Sequence, residues 1–180
     1  MLIDRHRSSL LLIDMQERLL PAMDDADRLL DNVVWMVKIA QRLSVPVLVS
    51  EQYPKGLGPT VQTLRDLIPA ASIVPKMHFS CVADGCLKPL LDPERPQVIV
   101  CGIESHICVM QTSLDLQASG RQVFVVADCV ASRDPSNRGL ALERLRQQGV
   151  IVVSREMVAF EWLGAAGSEE FREISRTYLR

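Results

Sequence analysis

The chain has 180 residues, 48% of them hydrophobic, with a formal net charge of −2. That length suits one domain with a sizeable core. The near-neutral charge and the scattered Lys and Arg speak against a nucleic-acid footprint or a basic membrane patch, and no apolar run approaches the roughly 18 residues of a membrane-spanning helix.

The first apolar run, Leu10–Ile13, closes on Asp14 and reads as a strand buried on both faces; without a small-residue cleavage site it does not read as a signal peptide. Met15 to Leu20 turns away and Pro21 interrupts. Asp24 and Asp25 are placed to cap a long helix carrying Leu29, Val33, Met36, Val37, Ala40 and Leu43 at helical spacing. Val45–Val49 is the second predicted strand. Ser50 to Pro59 contains two Gly and two Pro and reads as a loop. A helix over Thr60–Leu67, a short strand at Ile73–Val74 ending in Pro75-Lys76, a loop over Met77–Cys81 and a short helix over Ala83–Leu91 follow. Next come a strand over 97–101, a helix from Cys108 to near Gly120, a strand over Gln122–Asp128, a helix over Ser136–Gln148 and a last strand over Val150–Ser154. The tail over 156–179 reads as helical, broken at Gly164 and Gly167.

Six unbroken apolar strands alternating with helices predict an α/β fold: a single domain over 1–180 built as a doubly wound, Rossmann-like six-stranded parallel sheet with helices on both faces. There is no internal repeat or linker. The Gly56-x-Gly58 pair lacks a third glycine and does not open directly off a strand, so it carries little weight as a phosphate or dinucleotide loop.

Three polar residues stand at or just past the ends of three predicted strands: Asp14, Lys76 and Cys108. The carboxyl ends of parallel strands converge on one edge, where ligands bind. Each residue has a plainer reading: Asp14 as a turn residue, Lys76 as a solvated loop residue, Cys108 as a small core residue. Together they supply a carboxylate to take a proton, an ammonium to keep that carboxylate ionised, and a nucleophile. A thiol at a helix start is also expected to be drawn toward thiolate by the helix dipole. Backbone N–H groups there are suited to receive an oxyanion.

The motifs Leu-Leu-Ile-Asp-Met-Gln at 11–16, Ser-Glu-Gln-Tyr-Pro-Lys-Gly-Leu-Gly at 50–58, Pro-Lys-Met-His-Phe-Ser at 75–80 and Cys-Gly-Ile-Glu-Ser-His-Ile-Cys-Val at 101–109 occur in this order. With them the chain resembles the isochorismatase-like cysteine hydrolase superfamily, most closely its branch without a firmly assigned substrate. The resemblance implies a catalytic acid, lysine and cysteine at Asp14, Lys76 and Cys108. It also implies a cis peptide at Ile103–Glu104 and an oxyanion hole made by the N–H groups of Glu104 and Cys108. The implied reaction is attack of Cys108 on an amide-like carbonyl of a small molecule, with Asp14 as base and then acid, and hydrolysis of a thioester. Nicotinamidases of the superfamily hold a metal through an Asp-x-His set after the second strand. Here that segment is Ser50-Glu51-Gln52-Tyr53, so neither metal nor other cofactor is expected. True isochorismatases cleave a vinyl ether without a cysteine nucleophile, so Cys108 leans toward C–N bond hydrolysis. The superfamily forms dimers and larger rings, which implies a homo-oligomer.

Gln52, Tyr53, Phe79 and Ile103 are the expected substrate contacts, with Glu51 in the same loop. Glu104 would repel anionic substrates if it faced the pocket and would be silent if it faced out. His78 is expected on a surface loop, and His106 in solvent or in a hydrogen bond at the helix start. Asp128 is expected to orient a loop by hydrogen bonds. Cys81, Cys86 and Cys101 are expected to be structural; the five cysteines, at 81, 86, 101, 108 and 129, form no Cys-x-x-Cys pair, which points to a reducing, cytoplasmic setting. Phe160, Trp162, Leu163 and Phe171 form either core or a subunit contact. Three competing readings are a silent hydrolase scaffold used for interaction or regulation, an isochorismatase-type ether hydrolase, and a thiol redox protein acting through Cys108.

Overall fold

Successive side chains along a strand face opposite sides of the sheet, and this sequence loads both sides with apolar groups. In the computed structural model, which describes residues 1–178, β1 (Ser8–Ile13) sends Leu10 and Leu12 to one face and Leu11 and Ile13 to the other. β2 (Val47–Gln52), β3 (Ile73–Lys76), β4 (Gln97–Ile103), β5 (Gln122–Ala131) and β6 (Ile151–Val153) complete a sheet of order β3-β2-β1-β4-β5-β6. Every pairing is parallel. The fold is the predicted doubly wound α/β sheet of six strands.

On one face the core includes Val33, Met36 and Val37 of α1 (Ala26–Arg42), Trp162 of α7 (Arg155–Leu163) and Ile174 of α8 (Glu169–Tyr178). On the other it includes Leu116 of α5 (Met110–Ala118) and Leu142 and Leu145 of α6 (Pro135–Gln147). The tail expectation therefore divides: Trp162 is core, whereas Phe160 is 48% exposed and tilted against Phe171 at a ring separation of 6.4 Å. The last residue of the predicted tail helix, Leu179, lies outside the described residues.

Several boundaries differ from expectation for local reasons. Asp25 does precede α1, but in a left-handed conformation (φ 50°) and without a side-chain cap. β2 begins two residues later than expected and runs through Gln52, so Glu51 and Gln52 belong to the strand rather than to a loop after it. Within the expected loop, α2 (Pro54–Leu57) forms one turn with Pro54 at its start, where its missing N–H is not needed. The helix expected over 60–67 shortens to α3 (Gln62–Arg65), because Thr60 bridges to Gln16 and binds the Glu51 carboxylate through both its N–H and its hydroxyl. The helix expected over 83–91 is α4 (Cys81–Asp84) only: Ser80 caps it, and Gly85 at φ 79° ends it after one turn.

The central pair carries one tight constraint. Gly102 pairs with Ile13 and adopts φ 120°. A Cβ there would lie 2.1 Å from the Ile13 carbonyl oxygen and 2.6 Å from its nitrogen, so β1 and β4 meet backbone to backbone immediately before Asp14 and Glu104. Gly102→Ala therefore combines a disfavoured φ with a main-chain clash and is expected to destabilise the protein by roughly 3 kcal/mol or more. Thermal and urea unfolding of the variant measure this.

Candidate active site

The carboxyl ends of β1, β3 and β4 bring three side chains into one buried cluster. Asp14 follows β1 in a left-handed turn (φ 55°), a conformation that Asp tolerates better than most residues. Lys76 is the last residue of β3. Cys108 comes from the turn after β4. Asp14 is 0%, Lys76 2% and Cys108 5% exposed. Lys76 Nζ donates to Asp14 Oδ2 at 2.8 Å, and Ser50 Oγ donates to Asp14 Oδ1 at 2.8 Å. The Cys108 thiol lies close enough to the same carboxylate for the two to influence each other's titration. Lys76 also donates to Gln52 Oε1 at 2.5 Å and to the His78 carbonyl at 3.3 Å. The Cys108 sulfur makes a longer contact, 3.9 Å, with Gln52 Oε1.

Burial raises the Asp14 carboxyl above the ordinary carboxylate range, against the opposing pull of Lys76. Burial alone would lower the Lys76 ammonium, but Asp14 and Cys108 more than offset it, and Lys76 stays charged. Burial pushes the Cys108 thiol up, and the Asp14 carboxylate pushes it further, with Lys76 opposing. This reverses the expectation of a resting thiolate. The reason is positional as well as electrostatic: Cys108 lies inside a wide turn, Ser105–Val109, closed by a bond from Val109 N to Glu104 O at 3.2 Å, and the regular helix starts only at Met110.

The turn itself is held from several sides. The Ile103–Glu104 peptide is cis. The Glu104 carbonyl accepts from Ile107 N at 3.1 Å as well as from Val109 N. The Glu104 carboxylate is buried and accepts from Arg133 N at 3.1 Å and from Arg133 Nε at 3.1 and 3.2 Å. It is therefore neither turned into a pocket nor solvated. His106 Nδ1 and Ser132 Oγ are 2.9 Å apart.

The model of the isochorismatase domain matches residues 8–157. The chain belongs to the isochorismatase family. Within this isochorismatase-like hydrolase family it is 40% identical over 89% of its length to isochorismatase domain-containing protein 1 of Salmo salar, of which it covers 57%. It is 38% identical over 95% of its length to the secreted isochorismatase effector Isc1 of Phytophthora sojae, of which it covers 84%. Among solved structures, a MAR1 ribonuclease from Caenorhabditis elegans matches with a TM-score of 0.92 at 32% identity, covering 100% of this chain and 93% of that one.

This isochorismatase-family chain gathers Asp14, Lys76, Cys108 and Gln52 at one point. The other expected residues lie around it with different standing. Tyr53 is half exposed, its N–H donates to the Lys76 carbonyl at 2.9 Å, and its ring lies over Gly56. Phe79 is exposed. Ile103 is fully buried in the core on the α1 side, with Leu12 and Met15. His78 is on the surface beside Asp84, 3.0 Å away. Asp128 accepts from Arg155 N at 2.9 Å, which ties β5 to the start of α7. Among the described residues, no three His, Cys, Asp or Glu side chains gather as metal ligands. A cavity of about 310 Å³ opens elsewhere, beside Asp24, Arg28, Asn32 and Arg138.

Three supporting residues escape sequence reasoning as site residues. Ser50 orients Asp14 by the bond given above. Gln16, fully buried, accepts from Gln52 N at 2.7 Å and donates to the carbonyls of Gln52 and Gly58 at 2.9 and 2.7 Å. It thereby pins the segment that carries Gln52. Both residues stand inside the quoted motifs, so their positions were visible although their bonds were not. Arg133 stands outside every motif and left no signal.

The electrostatics predict an unusual alkylation profile. With its thiol held up, Cys108 should react slowly with iodoacetamide at neutral pH, and its rate should inflect above the free-thiol value of about 8.5. Asp14→Asn removes a negative neighbour and should move that inflection to lower pH. Mass-resolved alkylation rates at Cys108 across pH, in wild type and variant, measure both.

Proposed function

We propose that the chain is a cysteine hydrolase that cleaves a C–N, amide-like bond of a small molecule through a thioester on Cys108, without needing a metal for any step. The observation that carries this reading is the burial of a bonded carboxylate and ammonium with a thiol beside them, joined to the ammonium through Gln52, at the ends of three strands. Removing an ion pair from water costs several kcal/mol per ion. A silent scaffold has no use for such a cluster, whereas a hydrolase does.

In the proposed cycle the substrate carbonyl enters with its oxygen toward the N–H groups of Glu104 and Cys108. The Glu104 N–H supports this placement, since it donates to no other described residue. Sulfur attacks the carbonyl carbon while Asp14 takes the thiol proton. A carboxyl raised by burial is a stronger base than a free carboxylate, and Lys76 keeps it ionised until the proton moves. The thiol keeps its own proton until a substrate is present, which protects it from idle oxidation. The tetrahedral oxyanion collapses, the C–N bond breaks, and the departing nitrogen takes the proton from Asp14. Water, deprotonated by the same carboxylate, then attacks the thioester and releases the acid and the free thiol.

Gln52, which touches both Lys76 and Cys108, orders the ammonium beside the sulfur and faces the incoming group. Tyr53 and Phe79 flank this approach. The half-exposed Phe160 on α7 offers a surface for self-association, and we expect a homo-oligomer. Five free cysteines fit a reducing compartment, and no described helix is long and apolar enough to cross a membrane. The worm relative is named a ribonuclease; the net charge of −2 on this chain favours a small substrate over a polynucleotide.

Cys108→Ala and Asp14→Asn should each lower turnover of a responsive amide by about a thousandfold or more while the fold is kept. Screening small amides and ureides, with mass spectrometry for an acyl group on Cys108, tests the reading. Full activity in either variant would overturn it.

A further inference from the structure

Glu104 has its carbonyl engaged by two N–H groups of its own turn and its carboxylate by three contacts from Arg133, while its N–H donates to none of the described residues. The carboxylate side chain is 6% exposed, whereas that of Arg133 is 62% exposed. The ion pair is thus a buried anion gripped from the surface by a cation on another strand connection. A second tie runs in parallel, from His106 to Ser132, and the Ser132 carbonyl in turn accepts from Asp24 N at 3.2 Å. Residues 132 and 133 therefore hold both 104 and 106, at the start of the turn that contains Cys108.

The sheet explains why residues 132 and 133 can reach. Val100 pairs with Val125, but Gly102 pairs with Val130, so β4 advances two residues where β5 advances five. This bulge carries the end of β5 alongside Ile103 and delivers Ser132 and Arg133 to the outer side of the turn. The Glu104 N–H belongs to the Ile103–Glu104 peptide and the Glu104 carbonyl to the next one; with that carbonyl and the carboxylate both held, two of the groups on the Glu104 Cα are fixed. A shift of the carboxylate turns the residue about its Cα and carries the N–H with it.

We propose that Arg133 is a positioning residue for the oxyanion hole: it acts through the Glu104 carboxylate to aim the Glu104 N–H at the reacting carbonyl, and it touches no substrate. This rests on the cysteine hydrolase reading above. Misplacing such a donor by a fraction of its bond length costs rate, because the donor is matched to the tetrahedral oxygen and not to the resting carbonyl.

The test separates two reactions of the same sulfur in the full-length protein. Acylation by p-nitrophenyl acetate passes through an oxyanion, whereas alkylation by iodoacetamide is a displacement at carbon that forms none. Both rates at Cys108 are read by mass spectrometry, and Cys108→Ala marks the background. In Arg133→Ala, acylation should slow by about tenfold to a hundredfold, with alkylation within about twofold of wild type. Arg133→Lys, which keeps the charge but not the paired geometry, should fall between, and it decides the question if Arg133→Ala does not fold. Equal loss of both rates, or loss of neither, overturns the proposal and leaves the hydrolase reading standing. A wild-type Cys108 that p-nitrophenyl acetate never acylates overturns the hydrolase reading, and the role of Arg133 with it.

Discussion

The ion pair between Asp14 and Lys76 sets the terms for its surroundings, because two charges without water are tolerable only when every remaining lone pair and proton is met. Asp14 accordingly receives Ser50 on one oxygen and Lys76 on the other, and Lys76 turns further protons to Gln52 and the His78 carbonyl. The group is assembled from three neighbouring strands, β1, β2 and β3, and the segments just beyond β1 and β3. The strands must therefore end at matched heights, and the parallel register between β1, β2 and β3 provides this: Ile13 lies beside Ser50, and Gln52 beside Lys76. The chemistry of the cluster is thus a consequence of sheet register as much as of residue choice.

Burial, and after it the Asp14 half of the pair, explains the state of the cysteine. A helix start would favour thiolate, but the sulfur is buried beside a carboxylate and lies in a wide turn before the regular helix begins. Loss of water around the sulfur, with the full negative charge beside it, outweighs the partial charge of a helix end. Proton and sulfur are held together, beside a buried carboxylate.

Much of this was legible in the sequence. Unbroken apolar runs marked the strands, because a sheet covered on both faces needs apolar residues at every position. Asp14, Lys76 and Cys108 stood out as polar residues at the ends of such runs. The misreadings came from features that periodicity does not carry. Gly85 stops α4 by its backbone conformation, while Leu87, Leu90 and Leu91 continue an apolar pattern that looks helical. β2 outlasts its apolar stretch because Glu51 and Gln52 pair with β3 through the main chain. Arg133 was invisible because its partner, Glu104, is 29 residues away in the sequence, and only the folded sheet brings them together.

The bulge in β5 also imposes a rule of parity. Val123 and Val125 face α5 and α6, and so does Val130, so odd-numbered positions face that side before the bulge and even-numbered ones after it. Removing one residue between 126 and 129 would invert Val130 and Ala131 and turn the following loop to the opposite side of the sheet. The number of residues in that short segment is therefore constrained independently of their identity. A change of length there would displace the turn that carries Cys108 while leaving Asp14, Lys76 and Cys108 in the sequence.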